Sequence, residues 1–127
     1  MNEVQLELFP KVVCLCGSTK FKQAFIDANR DETLKGNIVL SVGLFGHEEG
    51  IDMAGATKKM LDNLHLRKID LADEVLILNV DGYIGESTKK ERLYALQQKK
   101  PLRYLEPNYV KDGSHSDITL CHQSYVQ

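Results

Sequence analysis

The chain has 127 residues, of which 43% are hydrophobic, and a formal net charge of −2. This length predicts one compact domain with its own core, and the slight negative charge argues against a nucleic-acid polymer as the main ligand. The apolar runs are shorter than the roughly 20 residues of a membrane span, and the start of the chain is acidic, unlike a signal peptide, so we expect a cytoplasmic protein with no membrane partner.

Residues 1–10 are expected to form an N-terminal extension that ends at Pro10, because proline cannot continue a central strand. Its sequence is similar to the Gln-Leu-x-Leu-Phe peptide with which bacterial proteins dock on the replicative sliding clamp. The resemblance implies that Leu6, Leu8 and Phe9 fill an apolar cleft of the clamp, while Gln5 fixes the register of the peptide. The alternation of apolar residues in the same stretch also suits an edge strand, and both interpretations stay open.

Strand and helix patterns alternate along residues 11–106. We predict strands at 11–16, 37–42, 73–80 and 102–105, helices at 20–35 and 54–71, and a third helix from Thr88. Strands that are separated by helices pair in parallel through right-handed crossovers. The sequence therefore predicts a single Rossmann-like (flavodoxin-like), doubly wound α/β domain. Its sheet should be mainly parallel, with four or five strands in the order 2-1-3-4, and a polar tail should follow at 107–127.

Apolar periodicity predicts which helix faces are buried. The first helix should bury a stripe at i, i+3, i+4 and i+7, formed by Phe21, Ala24, Phe25 and Ala28. The second helix should bury Met60, Leu61, Leu64 and Leu71.

The three cysteines do not suggest a disulfide framework. Cys14 and Cys16 share one face of the first strand, where we expect them to be buried as small hydrophobic residues. Cys121 and His122 are adjacent and not at the spacing of metal ligands. We therefore expect no metal and no cofactor.

A glycine and two hydroxyl residues connect the first strand to the first helix. Gly17, Ser18, Thr19 and Lys20 offer close backbone approach, free amide groups and a helix N-terminus, which together can hold a phosphate group. The alternative is an ordinary helix cap made by Ser18 or Thr19.

The loops after the second and third strands supply further candidates, because the carboxyl edge of an open parallel sheet is where ligands bind. Gly43 opens the loop after the second strand, and the same loop carries His47. The third loop and the helix after it add Gly82, Tyr83, Gly85, Ser87, Thr88 and Glu91.

Glu91 has two interpretations. With Thr88 it matches the capping box S/T-x-x-E, in which the glutamate bonds back to the helix start. A carboxylate at this edge could instead attack the anomeric carbon of a sugar, as retaining glycoside-cleaving enzymes do. Capping and catalysis compete for the same oxygen atoms.

Three motifs, taken together, resemble the superfamily of nucleoside 2-deoxyribosyltransferases and 2′-deoxynucleoside 5′-phosphate N-hydrolases. They are Cys-Gly-Ser-Thr at 16–19, Asp-Glu-Val-Leu-Ile-Leu-Asn at 73–79 and Gly-Glu-Ser-Thr-Lys-Lys-Glu-Arg-Leu-Tyr-Ala at 85–95. The family pattern near the third strand is Asp-x-Gly-x-x-x-Glu-x-Gly-x-Ala, so the resemblance implies that Glu91 is the nucleophile. It also implies that the segment from Cys16 to Thr19 holds the phosphate, and that His65 stands about where the transferases carry a second aspartate, which handles the leaving base. His65 could instead be a partly buried helix histidine beside Leu61 and Leu64. His47 also has a position from which it could contact that base.

The sequence departs from the family pattern at two positions. Gly85 stands where the transferases carry an aspartate, and Leu93 replaces a glycine. The resemblance implies cleavage or transfer at the N-glycosidic bond of a nucleoside or nucleoside 5′-monophosphate, with Glu91, His65 and Tyr83 as the catalytic candidates. The departures favour an alternative, a non-catalytic, sensor-like nucleotide-binding domain on the same fold. Family members commonly build the site between two protomers, so we expect a homodimer or higher homo-oligomer, to which Tyr109 or His115 could contribute.

Overall fold

The computed structural model describes residues 9–46 and 49–107. In chain order the elements are β1 (Val12–Cys16), α1 (Lys22–Leu34), β2 (Ile38–Leu40), α2 (Gly55–Leu71), β3 (Glu74–Ile77), a 3-10 turn (Val80–Gly82), α3 (Glu86–Gln97) and β4 (Leu102–Tyr104). The four strands form one all-parallel sheet in the order β2-β1-β3-β4. The predicted Rossmann-like α/β architecture and its strand order are confirmed.

The sheet is covered on both faces, which is why β1 and β3 read as continuous apolar runs. Val13 and Leu15 of β1 pack with Phe25 and Ala28 of α1 on one face. On the other face Cys14, Cys16 and their neighbours in β3 pack with residues of α2 and α3. Cys14 and Cys16 are fully buried on a shared face, as predicted.

An ion cluster joins α1 to the two strands at the edge of the sheet. Arg103 of β4 donates from Nη2 to Oε1 of Glu32 at 2.7 Å and from Nε to Oε1 of Glu74 at 2.7 Å. Glu32 is only 3% exposed and also accepts hydrogen bonds from Lys35 and Asn37. Burial alone would raise the pKa of Glu32, but the hydrogen bonds from Arg103, Lys35 and Asn37 outweigh it and lower that pKa to about 2.

The strand β3 is shorter than predicted, because a side chain replaces the backbone ladder after Ile77. Asn79 is fully buried, donates from Nδ2 to the carbonyl of Glu106 at 2.9 Å and accepts the amide of Glu106 on Oδ1 at 2.9 Å. Asp81 and Gly82 then take positive φ angles of 53° and 79°. The chain therefore turns sharply before α3 begins.

The predicted buried face of the second helix is wrong in part. Leu61 is half-buried, but Met60, Leu64 and Leu71 are 53%, 47% and 71% exposed. The helix buries His65 and Ile69 in their place. Apolar residues occur on several sides of this helix, so their spacing alone did not identify the side that packs on the sheet.

The first helix begins two residues later than predicted. Its N-cap is Phe21, whose side chain cannot accept a hydrogen bond, so the predicted cap by Ser18 or Thr19 is wrong. Of the predicted stripe, Phe25 and Ala28 are buried, whereas Phe21 and Ala24 are half-buried.

Several predictions concern segments outside the described residues. The clamp-like residues from Gln5 to Leu8, the loop residue His47 and the tail residues Tyr109 and His115 belong to them. Phe9 is described and is 80% exposed. Within the described residues, no helix has both the length and the apolar character needed to cross a bilayer.

Candidate active site at the carboxyl edge of the sheet

A cleft of about 560 Å³ opens at the carboxyl edge of the sheet. The turn after β1, the loop after β2, one face of α2 and the start of α3 form its walls. The lining residues are Gly17, Ser18, Thr19, Val42, Gly43, Leu44, Met53, Lys58, Leu61, Asp62, Leu64, His65, Lys68, Tyr83, Gly85, Glu86, Ser87, Thr88 and Glu91. The topology therefore brings residues from four separate stretches of sequence to one concave surface.

Ten of the thirteen predicted site residues line this cleft: Gly17, Ser18, Thr19, Gly43, His65, Tyr83, Gly85, Ser87, Thr88 and Glu91. Lys20 and Gly82 do not line it. Lys20 lies over a second hollow of about 620 Å³ on the outer side of the β1–α1 turn, which gathers no cluster of catalytic groups within the described residues. His47 is not among those residues.

Packing requires Gly17 where β1 ends. A Cβ at this position would lie 3.0 Å from Cβ and 3.2 Å from the carbonyl oxygen of Leu78. The chain after β1 therefore passes directly against the end of β3. The amide of Phe21 then bonds to the carbonyl of Ser18 at 3.0 Å, and this turn presents Ser18 and Thr19 to the cleft.

Tyr83 lies across the start of α3 at the mouth of the cleft. The ammonium group of Lys20 is 3.7 Å from the centroid of its ring, and Phe21 meets the ring edge-on at 5.9 Å between centroids. A Cβ at Gly85 would come within 3.2 Å of the Tyr83 hydroxyl. Gly85 therefore leaves room for the tyrosine, and a longer side chain there would displace it.

The predicted capping box of Thr88 and Glu91 is wrong. The N-cap of α3 is Gly85, so Thr88 is the third residue of the helix and Glu91 is the sixth, in its second turn. The chain reaches α3 through the sharp turn at Asp81 and Gly82, which places the N-cap three residues before Thr88. Glu91 is too far along the helix to bond back to its first amides, and its carboxylate is not engaged in capping.

Glu91 instead faces a buried histidine and two cysteines. Its Oε1 atom lies 4.0 Å from Nε2 of His65, and the side chain of Glu91 is 15% exposed. The same nitrogen lies 3.3 Å from Sγ of Cys16 and 3.7 Å from Sγ of Cys14. The donor atoms of Cys14, Cys16 and His65 all lie within 4.8 Å of one another, a grouping that the sequence prediction of no metal site did not anticipate.

The protonation equilibria of these groups are shifted by burial and by one another. Burial raises the pKa of Glu91 to about 7, although the nearby His65 acts against the rise. For His65 burial works toward a lower pKa, but the hydrogen bond to Cys14 and the charge of Glu91 raise the pKa above its ordinary value. A hydrogen bond from Cys16 lowers the pKa of Cys14 to about 6, and the same bond raises that of Cys16 well above its ordinary value.

Three charged residues of α2 were missed by the sequence analysis. Lys58 and Asp62 line the cleft, and their side chains pair at 2.9 Å, while Lys58 also donates to Oγ of Ser87 at 3.4 Å. Lys68 donates to the carbonyl of Ser41 at 2.7 Å. Lys58, Asp62 and His65 are spaced i, i+4, i+7, so helical periodicity places them on one face and could have identified them together.

No family model matches the chain, and comparison with curated proteins finds no similar sequence. The likeness to the deoxyribosyltransferase and N-hydrolase superfamily therefore stands on the quoted motifs. A partly exposed carboxyl group, a buried imidazole and a hydroxyl-bearing turn therefore surround one cleft at this edge of the sheet.

Proposed function

We propose that the chain cleaves or transfers the N-glycosidic bond of a nucleoside or nucleoside 5′-monophosphate, with Glu91 as the nucleophile. The observation that carries the proposal is the placement of Glu91. Its carboxyl group lines the cleft at the carboxyl edge of the sheet and is not occupied as a helix cap. The family-like motif around it supports the same role.

The cleft has the size and polarity that such a substrate needs. Its volume of about 560 Å³ lies in the range of small-molecule sites. Val42, Leu44, Met53 and Leu61 offer apolar contacts for a base, and the turn at Ser18 and Thr19 offers hydroxyl groups. A nucleotide can therefore place its sugar near Glu91 with its base and phosphate on chemically different walls.

The proposed reaction proceeds in two displacements. A carboxylate oxygen of Glu91 bonds to C1′ of the sugar, while the electrons of the N-glycosidic bond leave with the base, which takes up a proton from solvent. Water or a second base then attacks C1′ and loses a proton to solvent, and Glu91 is released as carboxylate. His65, 4.0 Å away, is placed to stabilise the charge of Glu91 and to orient it.

The decisive test compares Glu91→Gln with a matched control, Glu86→Gln. Both glutamates line the cleft on α3, but the side chain of Glu86 is 86% exposed. Each protein is incubated with a panel of nucleosides and 5′-monophosphates, and free base is measured by chromatography. Glu91→Gln should lower turnover by several orders of magnitude, roughly the loss seen when a nucleophile is removed, and Glu86→Gln should leave it close to wild type.

Two results would contradict the assignment. Base release by Glu91→Gln at near the wild-type rate would remove Glu91 as nucleophile, and a large loss in Glu86→Gln would move that role to Glu86. Mass spectrometry of the intact wild-type protein during turnover should also detect a glycosyl adduct that is absent from Glu91→Gln.

A non-catalytic nucleotide-binding domain is the second candidate, and the surroundings of Gly85 favour it. The aspartate that the family pattern has here is missing, and the Tyr83 hydroxyl lies 3.2 Å from the place where its Cβ would be. Nucleotide binding without base release from any member of the panel would establish this alternative.

A further inference from the structure

We propose that Cys14, Cys16 and His65 bind a divalent, thiolate-preferring metal ion, Zn²⁺, at the floor of the cleft, with Glu91 as the fourth ligand. Two adjacent inward positions of β1 supply the sulfur atoms, and α2 and α3 supply the nitrogen and oxygen atoms. The proposal goes beyond the glycosidic reaction and does not depend on it.

The distances between the sulfur and nitrogen atoms fit a tetrahedral zinc site. Zn–S bonds of about 2.3 Å and Zn–N bonds of about 2.0 Å at tetrahedral angles separate sulfur from nitrogen by about 3.6 Å. The structure has 3.3 Å from Nε2 of His65 to Sγ of Cys16 and 3.7 Å to Sγ of Cys14. For the oxygen of Glu91 the same geometry needs about 3.4 Å from the nitrogen, against the 4.0 Å present. To complete the site, the Glu91 oxygen must approach the His65 nitrogen by about 0.6 Å.

The donor set selects the class of metal. Two thiolates and an imidazole favour zinc and similar ions over magnesium or calcium, which prefer oxygen ligands. Binding displaces the thiol protons to solvent. Two thiolates neutralise Zn²⁺, Glu91 adds one negative charge, and Lys68 lies close enough to act electrostatically on both Cys14 and His65.

The ion can enter from the cleft. Cys14 and Cys16 are fully buried, but His65 and Glu91 line the cleft wall and separate them from it. An ion that arrives through the cleft therefore meets His65 and Glu91 first. Because the ion and a sugar would both use Glu91, the proposed reaction, if it holds, should be inhibited by the metal.

Cobalt(II) is a spectroscopic probe for such a site. Titration of the reduced, chelator-treated full chain with Co²⁺ should give one equivalent per chain, with a sulfur-to-cobalt charge-transfer band and the visible bands of tetrahedral cobalt. Zn²⁺ should displace the cobalt and bleach both. Absence of the charge-transfer band, or a stoichiometry well below one, would overturn the proposal.

Variants connect the signal to the residues. Cys14→Ser and His65→Gln should weaken Co²⁺ binding by more than the roughly 10–100-fold that loss of an outer-shell partner causes. Cys121→Ser removes the third cysteine of the chain and should leave the spectrum unchanged. A spectrum that survives both site variants, or is lost with Cys121, would place the metal elsewhere.

One measurement needs no variant and so does not depend on the variants folding. X-ray absorption of the zinc-loaded wild-type protein should find two sulfur neighbours at about 2.3 Å and two nitrogen or oxygen neighbours at about 2.0–2.2 Å. Fewer than two sulfur neighbours would refute the cluster as the binding site. None of these readouts requires turnover, so failure of the metal proposal and failure of the glycosidic reaction are distinguishable.

Discussion

Replacing Gly17 by alanine tests whether the packing of the fold requires this glycine or whether only phosphate binding does. The added methyl group would lie 3.0 Å from Cβ and 3.2 Å from the carbonyl oxygen of Leu78, and 3.5 Å from the ring of Phe25. Leu78 is 1% exposed, so neither it nor the strand end can yield without disturbing the core. Overpacking of this kind destabilises by about 1–3 kcal/mol.

Gly43→Ala is the matched control, because Gly43 lines the same cleft. A Cβ there meets nothing within 4 Å among the described residues, and the backbone does not have a positive φ. Alanine at such a position reduces the entropy of the unfolded chain and commonly stabilises by about 0.4–1 kcal/mol. The two variants should therefore change stability in opposite directions.

Thermal and urea denaturation of both variants measures the effect. We expect the melting temperature of Gly17→Ala to fall by roughly 3–10 °C and that of Gly43→Ala to stay level or rise slightly. If Gly17 served only to let a phosphate approach the backbone, Gly17→Ala would keep wild-type stability and lose monophosphate binding. Wild-type stability in Gly17→Ala would refute the packing argument.

Three further predictions follow from other parts of the structure. The pKa of Glu32 is held at about 2, against an ordinary value of 4.5, so its carboxylate stabilises the fold above about pH 4.5 and this contribution is lost as the pH falls toward 2. Glu32→Gln should therefore lower the free energy of unfolding at pH 7 by about 1–3 kcal/mol. If the difference in stability between this variant and the wild type does not become smaller in acid, the ion cluster does not have this role. Ser18→Ala should weaken binding of a nucleoside 5′-monophosphate, by up to about 1.5–3 kcal/mol, more than binding of the nucleoside, and calorimetry showing equal losses would place the phosphate elsewhere. We also expect a homodimer or higher homo-oligomer, so light scattering at micromolar concentration should give at least twice the 14.4 kDa mass of the chain, and a monomeric mass would contradict this.

The fold was predictable because its signals are local and repeated. Strand and helix patterns alternate along the chain, and strands that are separated by helices pair in parallel through crossovers. The predicted end of β3 was wrong because a side chain makes the hydrogen bonds there in place of the backbone. The side chain of Asn79 is hydrogen-bonded to the backbone of Glu106, 27 residues away, and no pattern in either segment alone predicts this contact.

The site was only partly predictable, because it depends on how each helix is rotated and where it begins. The motif Thr-x-x-Glu predicted the N-cap at Thr88, but the turn before α3 places the N-cap at Gly85, three residues earlier, which changes what Glu91 can do. Three residues correspond to nearly a full helical turn. The motif is still present in the sequence, but after this displacement its two residues no longer lie at the positions of a capping box.

The rotation of α2 is the clearest sign that this surface serves more than packing. The helix leaves Leu64 47% exposed and holds the neighbouring His65 at 7%. Full burial of a leucine is worth about 1.5–3 kcal/mol, whereas burial of an imidazole is unfavourable unless it is hydrogen-bonded. The two cysteines and Glu91 supply the polar partners that make this orientation stable. A helix that exposes a leucine and buries the neighbouring histidine marks a functional site more often than a defect of packing. The same group of side chains serves the proposed glycosidic reaction and the proposed metal site.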